Sequence, residues 1–97
     1  MPFCYILQSH KLNRFYIGIC QGDIVQRIHK HNTQFHGKHR YTAKATDWQL
    51  FLSIECKDMA HARKIELHLK RMKSAQYIRN LKKFPDMTEK LKLKYCY

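Results

Sequence analysis

The stretch from Phe3 to Cys20 constrains this chain more than any other. Phe3-Cys4-Tyr5-Ile6-Leu7 and Phe15-Tyr16-Ile17-Gly18-Ile19-Cys20 are two short β-prone runs, separated by the polar segment Gln8 to Arg14, in which Leu12 is the only long apolar residue. Two such runs around a polar turn predict a hairpin. Alternate side chains of a strand share a face, so the fold-back can bring Tyr5 beside Tyr16. With 97 residues in all, everything else has to pack on this hairpin as one domain, 1–97, with a modest core. A hydrophobic fraction of 44% is enough to form that core, which argues against disorder.

The remaining elements follow from spacing. Gly22-Asp23 stops the second strand, and Ile24, Val25 and Ile28 have helical periodicity over Ile24 to Asn32, with Asp23 at the N-cap or in the first turn. Arg27 and His31, four apart, share a face beside the apolar stripe. Residues 33–47 are polar and basic apart from Phe35 and Tyr41 and read as a loop of about fifteen residues, a length often tied to function. Trp48 to Cys56 alternates and predicts a third strand, central or near-central. Asp58 caps a helix over Met59 to Lys73 whose stripe is Ala62, Ile65, Leu69 and Met72, with Glu66 next to it and Lys70 four residues on. Ser74 caps a helix to Lys83 built on Tyr77, Ile78 and Leu81. Phe84-Pro85-Asp86 breaks that helix, and Met87, Leu91 and Leu93 predict a last short one. The expected fold is a small α/β (α+β) domain, a three-stranded antiparallel sheet flanked by helices.

Charge narrows the partner class without identifying the partner. Nineteen Lys+Arg against seven Asp+Glu give +12, and the excess is steeper after Lys57. Such a balance attracts polyanions, nucleic acid before anionic membrane, with strongly salt-dependent affinity. Solubility alone is the bland alternative. No apolar run approaches the ~20 residues of a membrane span and no signal-like start is present, which predicts a cytoplasmic or nucleoid-associated protein. Cys4, Cys20, Cys56 and Cys96 are widely spaced and mostly lie in apolar runs, as buried free thiols do, not as a disulfide framework.

Taken as an ordered set, these residues resemble the GIY-YIG nuclease superfamily, specifically its small single-domain members. The half-motifs are Cys4-Tyr5-Ile6 and Tyr16-Ile17-Gly18, with Phe3-Cys4 in place of the Gly-Ile pair. Arg27 and His31-Asn32 match the helix that follows. Thr42 to Trp48 and the next strand match the middle segment, Glu66 within Ala62 to Lys70 the metal-binding glutamate helix, and Lys73-Ser74 its exit. The resemblance covers about residues 3–83 and leaves 84–97 as a C-terminal helical extension. Asn80 stands near the place of an asparagine that some members use and is a candidate site residue.

The resemblance implies an endonuclease that hydrolyses phosphodiester bonds in DNA. Such a reaction needs a deprotonated water, charge stabilisation on the non-bridging oxygens and help for the leaving oxygen. Glu66 would hold Mg²⁺ (or Mn²⁺), a metal commonly bound through one or two carboxylates plus waters and phosphate. Arg27 would brace the scissile phosphate with its planar donor fork. A phenol with an ordinary pKa of about 10 needs cations nearby to act as base. Tyr5 is expected as that base and Tyr16 as the group that orients water, while His31 shares in proton transfer, binds phosphate or is itself the base. Lys38, His39, Arg40 and Lys44 of the loop, with Lys70 and Lys73, are expected to contact nucleic acid.

Other readings carry their own residues. A catalytically inactive basic module, binding DNA or RNA on the same fold, keeps the charge and loses the turnover. A basic domain for protein or membrane contact needs neither. Tyr5 and Tyr16 can be ordinary strand aromatics, Glu66 and Lys70 a surface i, i+4 pair, and Arg27 and His31 a solvated helix side. Zinc finds only the close pairs His36/His39, His29/His31 and His61/His68, with no Cys-x-x-Cys to complete a tetrahedron. DNA versus RNA and monomer versus dimer stay open at this level.

Overall fold

The computed structural model describes residues 1–32 and 47–96, apart from the side chains of Lys30 and His31. The hairpin forms as expected. Strands β1 (Pro2–Ser9) and β2 (Arg14–Gln21) pair antiparallel, Tyr5 opposite Gly18 and Leu7 opposite Tyr16. The turn is drawn in by the Asn13 amide, which donates to the His10 carbonyl, with Asn13 in the left-handed region at φ 53°. Gly22, at φ +105°, makes the turn out of β2, a conformation that a side chain would strain.

Strand β3 (Gln49–Glu55) pairs with β1, so the sheet order is β2-β1-β3. The third strand is therefore at an edge, not central, and the expectation of a central or near-central Trp48 strand is corrected. The reason is visible in burial: Cys4, Tyr5, Ile6 and Leu7 are all buried in succession, as a strand covered on both faces requires. In β3 only Ile54 is buried, and Leu50 is exposed. A register shift between Ile6 and Leu7 passes over Phe51, whose ring meets Phe15 of β2 edge-on at 4.9 Å.

Each face of the sheet has its own core. Cys4, Ile6 and Ile54 pack with Ala62, Ile65 and Leu69 of α2 (Met59–Met72), Ile78 and Leu81 of α3 (Ala75–Lys83) and Leu91 of α4 (Pro85–Lys94). Tyr5, Leu7, Cys20 and Trp48 form the opposite core, joined by Ile24 and Ile28 of α1 (Ile24–Asn32). Met72 is largely exposed, so the α2 stripe ends at Leu69; Leu93 is exposed too, and α4 is anchored through Leu91. The helix starts are those that the caps predict. Asp23 accepts from the amides of Val25 and Gln26, Asp58 from that of His61, and Ser74 from that of Tyr77.

Two polar ties that the sequence did not announce fasten the start of β3 to the rest. The Asn32 side chain accepts from the Trp48 amide at 2.6 Å and donates to the Trp48 carbonyl at 2.9 Å. Asp47 accepts from the buried Ser9 hydroxyl at 2.6 Å and from the Lys11 amide at 3.0 Å, and these hydrogen bonds hold its carboxyl below the usual range. Cys4, Cys20 and Cys56 are buried free thiols, as expected, whereas Cys96 is exposed. Among the described residues no helix is long and apolar enough to cross a membrane.

Candidate active site

The register of the hairpin sets the site. Tyr5 and Gly18 are directly opposed, and Tyr16 lies two residues from Gly18 on the same face, so the two phenol rings meet diagonally with centroids 6.4 Å apart. Gly18 makes this possible. A Cβ there would stand 2.6 Å from both Cζ and Oη of Tyr5, closer than real Cβ contacts come, and 3.1 Å from Cε2 of Tyr16. The Tyr5 phenol thus lies over the glycine's bare backbone. Trp48 closes the other side, its ring 6.3 Å from that of Tyr16.

Burial gives the two tyrosines different environments. Tyr5 is 2% exposed and Tyr16 half-buried. Desolvation pushes the Tyr5 hydroxyl well above the ordinary tyrosine range, and the neighbouring Tyr16 pushes the same way. The Arg27 guanidinium of α1 pulls it back, while Cys20 and the Glu66 carboxylate push it up. Burial raises the Cys20 thiol as well, against a smaller downward pull from Arg27. Arg27 and Glu66, from different helices, are therefore both within electrostatic range of the same phenol.

Glu66 is not a surface residue. It is 5% exposed, on the edge of the α2 stripe whose Ala62, Ile65 and Leu69 are packed against the sheet. Arg63 Nη1 donates to Oε1 at 2.6 Å, and Lys70 Nζ lies 3.4 Å from Oε2. Burying a carboxylate is costly unless it is paired and hydrogen-bonded, and these two cations, themselves largely exposed, meet that need. Sequence reasoning named Lys70 and missed Arg63, although the i, i+3 spacing to Glu66 was there to find it.

The donor set decides which metal the residues fit. Among the described residues no group of three or more His, Cys, Asp or Glu side chains could hold an ion. A lone buried carboxylate offers one hard oxygen ligand, which suits Mg²⁺ or Mn²⁺ keeping most of its waters. His61 and His68 are engaged elsewhere: His61 Nδ1 accepts from the Lys57 amide and Nε2 faces the Lys92 carbonyl, while the ring nitrogens of His68 meet the hydroxyls of Tyr95 and Tyr77.

The remaining sequence candidates are placed unevenly. Lys73 ends α2 in the left-handed region, next to the Ser74 cap of α3. Asn80 sits on α3, where its side chain accepts from Gln76 and its carbonyl from the Phe84 amide. The His31 side chain and all of Lys38, His39, Arg40 and Lys44 lie outside the described residues.

No curated protein and no solved structure gives a significant match to the chain. The family model of the GIY-YIG catalytic domain matches residues 1–82, a span running from the first strand through β2, α1, β3 and α2 into the last turn of α3. That span holds the tyrosine pair over Gly18, Arg27 and the buried Glu66, and on it this chain belongs to the GIY-YIG family, a family of nucleases.

Proposed function

We propose that this protein is a divalent-metal-dependent endonuclease that hydrolyses phosphodiester bonds in DNA. The observation that carries the reading is Glu66, a carboxylate kept 5% exposed beside two cations and within electrostatic range of Tyr5, which Arg27 also reaches. Burying a carboxylate costs desolvation that an apolar residue at that position would avoid.

In this reading a metal ion held by Glu66 supplies Lewis acidity and charge neutralisation at the phosphate. Arg27 supports the non-bridging oxygens through its guanidinium fork. The water oxygen bonds to phosphorus, the bond to the leaving oxygen breaks, the water's proton passes to a base and the leaving oxygen gains one. We assign the water to Tyr16, which reaches the surface, and the orienting role to Tyr5, whose buried phenol holds its proton tightly; this exchanges the roles expected from sequence alone. His31 remains a candidate for the same proton. Three buried thiols suit a reducing, cytoplasmic setting.

The test is cleavage of plasmid, nicked and branched DNA, with RNA in parallel, in Mg²⁺ or Mn²⁺ and in excess chelator. Glu66→Gln and Arg27→Ala are each expected to cost more than about 100-fold, beyond the loss typical of groups that only support a metal ligand. Full activity in both variants would overturn the site. The other reading, an inactive nucleic-acid-binding module on the same fold, predicts salt-dependent retention with no metal-dependent cutting.

A further inference from the structure

A groove of about 550 Å³ runs between the hairpin and the corner where α2 meets α3. Its floor is Ile17, Leu69 and Ile78, and its rim carries Arg14, Lys70 and Lys73. Among the described residues no acidic side chain lines it. The rim starts at the candidate catalytic carboxylate, because Lys70 both lines the groove and lies 3.4 Å from Glu66 Oε2. The volume falls within the range of about 300–1,000 Å³ typical of sites for small ligands.

We infer that this groove seats an unpaired nucleotide next to the bond being cut, with Arg14 and Lys73 on its flanking phosphates. Charge complementarity selects the occupant: Arg14 and Lys73, with Lys70 paired to Glu66 and no acid among the described lining residues, favour a phosphate chain. The apolar floor then distinguishes an unpaired strand from duplex. Stacked bases in duplex turn only sugar and phosphate outward to such a surface, whereas an unpaired base or its sugar can cover Ile17, Leu69 and Ile78 from water. Phe15, also on the lining, already has Arg79 5.6 Å over its ring and Phe51 in T-shaped contact with it, so the seat is the aliphatic floor. The inference rests on the nuclease reading for the identity of the neighbouring bond and adds a preference for DNA with an unpaired strand at the cut.

Binding without divalent metal tests it, using fluorescently labelled duplex and the same duplex with a splayed single-stranded arm. The full chain is expected to hold the splayed DNA about tenfold tighter. Arg14→Ala/Lys73→Ala should abolish that preference and reduce the salt slope by about one per lost phosphate contact. Lys90→Ala, outside the groove, should leave the preference in place, and circular dichroism shows whether each variant is folded. Equal binding of the two DNAs by the wild-type chain, or a preference that survives in the folded double variant, overturns the inference. A groove-dependent preference without any cleavage in metal supports it and counts against the nuclease reading alone; cleavage without the preference does the reverse.

Discussion

At the scale of single residues, the candidate site depends on one missing side chain and one buried charge. Gly18→Ala forces a methyl group into the place of the Tyr5 phenol; overpacking of this kind costs about 1–3 kcal/mol. Denaturant unfolding should show that loss, and cleavage should fall with it as both tyrosines shift. Glu66→Met should separate stability from function. Arg63 and Lys70 are largely exposed and return to water when the carboxylate is lost, and the methionine spares the cost of burying a charge, so the variant should melt near the wild-type temperature while metal-dependent cleavage disappears. Lower stability together with retained cleavage would show that Glu66 is structural. The importance of Gly18 was present in the Tyr16-Ile17-Gly18 motif, but its cause was not. Only the register, which sets Gly18 opposite Tyr5, shows which ring needs the space.

At the scale of elements, α4 is held to α2 by two histidines seven residues apart. His61 reaches the Lys92 carbonyl, and His68 stands between the hydroxyls of Tyr77 and Tyr95 at 3.0 and 2.9 Å. Burial first, then Lys94 and Arg71, lowers the His68 pKa below the ordinary 6.5. In the unfolded chain His68 takes up its proton near 6.5; in the folded protein it does so only at lower pH. Below 6.5 the unfolded state therefore binds more protons, and stability falls as pH drops through that window. Between pH 8 and 5 the wild-type melting temperature should fall further than that of His68→Gln, with α4 amides losing exchange protection first; parallel curves would contradict the clasp. The helices and their caps were legible because capping and 3.6-residue periodicity are local. The position of β3 was not, since an alternating strand can lie at an edge or in the middle, and the continuous burial of β1 decides which.

At the scale of the whole molecule, a charge of +12 makes ionic strength the dominant control on binding. If six or more phosphates are contacted, affinity for DNA should drop at least about 10³-fold between 50 and 200 mM salt. A flat salt response would remove nucleic acid as the partner. By itself the sequence determined the hairpin, the helix starts, the polyanion-binding balance and the ordered residues of the family, all of which depend on composition or on neighbours close along the chain. Tertiary structure alone decided that β1 is the central strand, that Glu66 is buried between Arg63 and Lys70, and that Tyr5 is sealed over Gly18 while Tyr16 reaches the surface. It also formed the basic groove from the hairpin and the α2–α3 corner. These features join residues far apart in the chain, and their exposure and electrostatic fields exist only once the two faces of the sheet are covered.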